Sequence, residues 1–296
     1  MSRFGVVLSS GGGRGIFAHT GFMTALDKLD VRISALSGCS AGAIVGGVLA
    51  SGTSVSDWAN ATRNARSDRY WTPRSVVQLL YSFGFRQGRG IGGLSETAAA
   101  IRFLTENLAV RNFEECVYPF SSVAMNLGTG ANTTFDEGPL APAMMASAAI
   151  PGFYEPVEID GQYYTDGAII DLAPAEAICC RYGMEVLLIH HTAQHDYSTK
   201  ELEQAFEEPW TIVKVLQRLI FRRRPWYATG DPRSICACPC GCGAVIVVLE
   251  PRLPELTWPI VAAAADILSA AHSNTLTQLA PVLETLRTRP RSLLSA

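Results

Sequence analysis

The sequence predicts an α/β fold with a mainly parallel sheet covered on both faces. Three observations carry this expectation. Short apolar runs alternate with helical stretches along the chain, the pattern of strand–helix–strand units. Two glycine-rich turns, Ser9–Gly15 and Gly38–Gly42, each sit between an apolar run and a helical one. Hydrophobic residues make up 48% of the 296 and charged residues 17%, which supplies a large core and excludes disorder. The formal net charge of -3 is too small to imply a nucleic-acid partner.

Taken in order, Phe4–Leu8 reads as a buried strand and Ser9–Gly15 as a loop. Ile16–Leu29 follows as a helix, with Phe22, Leu26 and Leu29 on one face. Ile33–Ser37 is a second strand and Ala41–Ala50 a buried helix closed by Gly52. From Ile33 to Ser56 there is no charge, long enough to span a bilayer. Glycines and serines dilute that run, so a strand–turn–helix unit is the better reading. Residues 70–93 show no clean period. Glu96–Leu108 reads as a helix with Ser95 as N-cap, 120–127 as a strand and 141–150 as a helix stopped by Pro151. Residues 156–168 read as a hairpin turning at Asp160-Gly161. The stretch APAEAICCRYG is expected to be a helix ended by Gly183, and MEVLLIHH a buried strand. Beyond it come a long amphipathic helix (Leu202–Phe221), a strand (Val245–Leu249) and one or two final helices (Ala262–Leu286). With no internal repeat or linker, residues 1–296 are read as one domain.

The chemistry concentrates in three places. SSGGGRG, Ser9 to Gly15, is a turn whose N–H groups suit any anion at a helix N-terminus. It partly fits a dinucleotide loop, but no acidic residue ends the second strand, and no G-K-[ST] follows for a nucleoside triphosphate. Gly38-Cys39-Ser40-Ala41-Gly42 is G-x-S-x-G: a serine in a sharp strand-to-helix turn, with small residues two positions either side. If the first two strands are neighbours, these two loops face each other at one sheet edge. N–H donors beside a serine nucleophile are what acyl transfer needs. The base is open on these residues. His19, His190, His191, His195 and His272 are present, and a Ser-Asp-His order is formally available. His190 and His191 read as rim or solvated residues. Asp166, followed by Gly167 and Ala168, is the better candidate, because a desolvated carboxylate can act as general base.

Glycine loop with a basic residue, G-x-S-x-G and D-G-[GA], in that order, resemble the patatin-like phospholipases. The longer texts ISALSGCSAGAIVGGVLASG and MMASAAIPGFYEPVEIDGQYYTDGAIIDLAP are similar to that family too, and the resemblance covers roughly residues 4–190. It departs at Ser10, which stands where the family loop has its first glycine. Residues 191–296 are not covered. The resemblance implies a three-layer α/β/α fold and hydrolysis of lipid acyl esters by a Ser40–Asp166 dyad without histidine. It assigns the oxyanion hole to the backbone of Gly11, Gly12 and Gly13, and substrate binding to Arg14. Phospholipid or another acyl ester is the expected partner. Acyltransfer, a Ser-His-Asp esterase and a nucleotide- or anion-binding module stay open beside it.

Outside these motifs, CACPCGCG spaces Cys236, Cys238, Cys240 and Cys242 two apart. That is not the C-x₂-C of zinc sites, so structural or redox-sensitive thiols are expected, with no metal and no cofactor. Pro209–Trp226 joins an apolar face to Arg222–Arg224 and two tryptophans. A core helix is favoured there over an interfacial one, and peripheral membrane contact stays open. No cleavable export signal is visible, so a cytoplasmic location with reduced cysteines is expected.

Overall fold

A computed structural model describes residues 2–85, 92–192, 225–256 and 260–294, with isolated positions 203, 207 and 215. Apart from those three positions, the amphipathic helix expected at Leu202–Phe221 lies outside the described residues, as does His195.

Among the described residues a nine-stranded sheet organises the chain. In chain order its strands are β1 (Phe4–Leu8), β2 (Ile33–Gly38), β4 (Phe120–Asn126), β5 (Asn132–Phe135), β7 (Val157–Ile159), β8 (Gln162–Asp166), β9 (Val186–His190), β10 (Arg233–Ala237) and β11 (Val245–Leu249). The order is β10-β11-β9-β1-β2-β4-β8-β7, with β5 also on β4. Short β3 (Gly93–Ser95) and β6 (Gly152–Tyr154) pair separately. The centre, β11-β9-β1-β2-β4, is parallel throughout. The flanks add antiparallel β10 on one side and β5, β8 and β7 on the other. The sheet is therefore mixed, with the parallel character confined to the buried centre. That placement follows from composition: β1, β9 and β11 are buried at every position, as strands covered on both faces must be.

Alternation along these strands sends side chains to two separate cores. Val6, Leu8, Leu36 and Leu188 face a large cluster under the helices, while Val7, Leu187, Ile189 and Val248 face a smaller one. The helices are α1 (Gly12–Lys28), α2 (Ala41–Ala50), α3 (Val55–Asn64), α4 (Val76–Phe85), α5 (Ala98–Asn107), α6 (Leu140–Ala148) and α7 (Ile260–Thr288). Helix α1 packs on both α2 and α7. It approaches α7 so closely that a Cβ on Gly21 would lie 2.2 Å from the Leu268 carbonyl oxygen. Among the described residues the second face is covered by turns, through Ala173, Ile178, Cys179 and Met184, and by Tyr227 and Ala228.

The uncharged run from Ile33 folds as β2, a turn and α2, as expected, and no described helix is long and apolar enough to cross a membrane. Four local expectations are corrected. Helix α1 begins at Gly12, not Ile16, because Gly11 accepts the Gly15 N–H at 2.8 Å and so extends the helix into the glycine loop. Ser95 caps no helix: it lies in β3, its hydroxyl donates to the Thr72 carbonyl, and the helix begins at Ala98. The stretch before Gly183 forms one 3₁₀ turn, Ala175–Ala177, instead of a helix, since Ile178 and Cys179 are drawn into the second core. His190 and His191 are buried, not solvated, because β9 runs through the middle of the sheet.

Candidate active site

The site grows from the carboxyl ends of β1 and β2, which are parallel neighbours with Leu8 opposite Gly38. Ser40 follows β2 with φ 55° and is the residue before α2, so the elbow stores backbone strain at its serine. The two flanking glycines have a measurable reason. A Cβ on Gly42 would lie 2.1 Å from the Leu8 carbonyl oxygen, and one on Gly38 would lie 2.3 Å from the Gly42 carbonyl oxygen. Only hydrogen fits at either position. Ser147, which sequence reasoning missed, accepts the Ser40 N–H at 3.0 Å and donates to the Val123 carbonyl at 2.6 Å. Its signal was a lone hydroxyl at a fully buried position of the apolar helix α6.

Asp166 ends β8, which pairs with β4, and that pairing carries the carboxylate to Ser40 from far along the chain. It is fully buried, with the apolar patch of Cys39, Ala168 and Leu172 beside it. Burial raises its pKa from 3.8 to about 7, against the downward pull of the Ala168 N–H and the Ser40 hydroxyl. Ala168 donates to Oδ1 at 2.9 Å. Oδ2 is buried and makes no hydrogen bond of normal geometry, although the Ser40 hydroxyl is close enough to be felt. Gly167 is required as strictly as the elbow glycines, since its Cβ would sit 2.3 Å from the Val123 carbonyl oxygen. Cys39, next to the serine, is held as the thiol: burial, then the charge of Asp166, pushes its pKa well up.

The glycine loop is pinned from three sides. Ser10 N–H donates to the Leu172 carbonyl at 2.7 Å, Thr192 N–H to Ser9 Oγ at 2.9 Å, and the Thr192 hydroxyl to the Ser10 carbonyl at 3.1 Å. Gly12 has φ +57°, a left-handed conformation that glycine adopts freely, and nothing stands where its Cβ would be. Gly12 and Gly13 form the first turn of α1, where N–H groups have no helical acceptor. Both line the same cavity as Ser40. Gly11 is the N-cap and does not line it. Arg14 does not line it either: its guanidinium donates to the Thr192 carbonyl at 3.3 Å and lies 3.7 Å from Glu255.

That cavity is about 740 Å³ and mostly apolar, with Ile16, Phe17, Ile44, Trp58, Phe103 and Met145 in its wall and Arg63 and Arg66 among its polar residues. Among the described residues no histidine lines it. His19 donates from Nε2 to the Ser9 carbonyl at 2.7 Å and pairs with His190 Nδ1 at 2.8 Å, while His190 stacks on Phe22. Burial lowers the pKa of His19 to about 4 and that of His190 well below its usual value. The two rings are neutral supports beneath the glycine loop.

Against this geometry, a family model described as patatin-like phospholipase matches residues 6–178, more than half of the chain. The chain belongs to the patatin-like phospholipase family. Similar proteins include an NTE family protein of Mycobacterium tuberculosis, 34% identical over 178 residues, which are 60% of this chain and 45% of that one. The lysophospholipase NTE1 of Cryptococcus neoformans is 24% identical over 213 residues, 70% of this chain and 12% of that one. The chain thus spans less than half the length of these curated relatives. Among solved structures, human GIVD cytosolic phospholipase A2 aligns with TM-score 0.56 at 10% identity, over 97% of this chain and 60% of that one, a likeness of fold.

Proposed function

We propose that the chain is a serine acyl hydrolase that cleaves fatty-acyl esters of phospholipids or lysophospholipids, with Ser40 as nucleophile and Asp166 as its base. One observation carries the reading. A strained serine opens into an apolar cavity beside a buried carboxylate whose pKa is about 7, the range a base needs at neutral pH.

The steps follow from the groups present. Ser40 Oγ adds to the ester carbonyl carbon as its proton passes to Asp166. The N–H groups of Gly12 and Gly13 receive the oxyanion, with Gly11 holding the turn that presents them. The tetrahedral adduct collapses, and Asp166 returns the proton to the departing alkoxide of the glycerol. Water, deprotonated by Asp166, then releases the fatty acid. One oxyanion donor contributes about 3 kcal/mol to such a transition state. The apolar wall suits an acyl chain, and Arg63 and Arg66 suit a phosphate. The same wall disfavours a nucleotide site, which needs polar partners for ribose and base. Transfer to another alcohol would share every step up to the acyl-enzyme.

A fluorophosphonate probe tests the nucleophile, and a panel of acyl esters tests the substrate. Ser40→Ala is expected to abolish labelling, and Ser40→Ala and Asp166→Asn each to lower hydrolysis roughly 10³-fold or more, without adding in the double variant. Normal turnover by a folded Asp166→Asn protein would remove Asp166 as the base.

A further inference from the structure

The cysteine run reads as metal-free on its spacing alone, because four thiols on one short loop have no C-x₂-C pair. The fold changes the count. It brings Cys179 and Cys180, some sixty residues earlier, against the same loop. Cys179 Sγ lies 3.3 Å from Cys238 Sγ and 3.4 Å from Cys242 Sγ, and Cys180 Sγ lies 3.1 Å from Cys240 Sγ. The sulfurs of Cys179, Cys180, Cys240 and Cys242 all lie within 4.8 Å of one another. Zinc holds thiolates at about 2.3 Å in a tetrahedron, which places the sulfurs about 3.8 Å apart. Four thiols gathered at that spacing from two segments form a chelating set, not a lone reactive residue.

The backbone explains how a C-x-C-x-C stretch does this. It is the turn of the β10–β11 hairpin, closed by Cys238 N–H donating to the Ala244 carbonyl at 2.9 Å. Gly241 and Gly243 have φ +74° and +80°, left-handed positions that fold the loop back on itself. A guanidinium stands at the loop, since Arg291 Nε donates to the Gly243 carbonyl at 3.1 Å, and it offsets part of the charge of a four-thiolate centre.

We propose that Cys179, Cys180, Cys240 and Cys242 bind one Zn²⁺ as four thiolates, with the four thiol protons released to solvent. The ion is structural: all four positions are filled by protein, so none is open for substrate. It staples the β10–β11 hairpin to the segment that follows Asp166. That segment lies under the active site, where Leu172 accepts the Ser10 N–H. Cys238 touches Cys179 and Cys240 but stands outside the four.

The test is metal content of the full chain, purified under reducing conditions without chelator and then supplied with Zn²⁺. One zinc per chain is expected, retained through gel filtration against a micromolar chelator. Stripping the ion should lower the melting temperature by at least ~5 °C. Cys180 and Cys240 are exposed, so Cys180→Ser/Cys240→Ser is expected to fold and to hold less than ~0.1 zinc. Cys236→Ser should keep the full ion. Should the double variant not fold, alkylation of the wild type replaces it, with Zn²⁺ shielding Cys179, Cys180, Cys240 and Cys242 and leaving Cys116 and Cys236 unchanged. A reduced wild type that takes up no zinc, a double variant that binds it as tightly, or a shielding pattern that omits these four would overturn the assignment.

Discussion

Asp166 shows how much a single residue draws from its surroundings. Its pKa is raised by burial, so its proton balance couples activity and stability to pH in opposite senses. In its proposed role as base Asp166 must be ionised, so kcat/KM for a soluble ester is expected to rise with unit slope up to about pH 7 and level above it. Folding has the other sign. Between the unfolded value near 4 and the folded value of about 7, the folded state holds the extra proton, so this residue's contribution to stability is full below pH 4 and is lost as pH rises through 7. Asp166→Asn keeps an acceptor for the Ala168 N–H and carries no charge. It is therefore expected to melt higher than the wild type at pH 8, with the gap closing toward pH 4. Thermal melts across that range check it; an Asn variant less stable at pH 8 than at pH 5, relative to wild type, would contradict the burial argument.

At the scale of elements, α1 and α4 carry the clearest consequences. Helix α1 reaches four residues into the glycine loop and thereby brings its first turn, Gly12 and Gly13, to the wall of the cavity. Helix α4 leaves Val77, Leu80, Tyr81 and Phe85 exposed, Phe85 by 83%. Under the proposed function the substrate is drawn from a lipid aggregate, and such a face suits that contact. Leu80→Ser/Phe85→Ser is expected to lower hydrolysis of phospholipid vesicles several-fold and to leave a soluble short-chain ester unchanged within about twofold. Parallel assays decide it, and equal loss on both substrates would count against the contact.

At the scale of the molecule, one sheet takes strands from both sides of residue 190. The family match ends at residue 178, yet β9 and β11 are the next strands after β1 toward one edge, and α7 packs along α1. Leu279 and Leu286 of α7 are fully buried in the main core. Leu279→Ala is expected to cost about 2–5 kcal/mol, read by urea unfolding. A change below about 1 kcal/mol would mean that α7 is peripheral to the core.

Local chemistry made the motifs readable in the sequence: the two loops at the ends of β1 and β2, the Asp160-Gly161 hairpin and the buried strands each follow from residue size, charge and backbone freedom over a few positions. The elbow at Ser40 is legible locally, because a Cβ at Gly38 would meet the Gly42 carbonyl of the same turn, whereas the need for glycine at 42 comes from Leu8 of the neighbouring strand. Strand β10 was not foreseen, because its side chains are half-buried and show no clear alternation. The helix expected before Gly183 was lost to a pull on Ile178 and Cys179 from the far face of the sheet. The neighbours of these residues come from long-range packing: Ser147 under the Ser40 backbone, His19 against His190, Asp166 beside Cys39, and Cys179 and Cys180 on the hairpin loop. Those pairings join residues from 59 to 171 positions apart, and their energies come from desolvation and packing, which no local pattern of residues encodes.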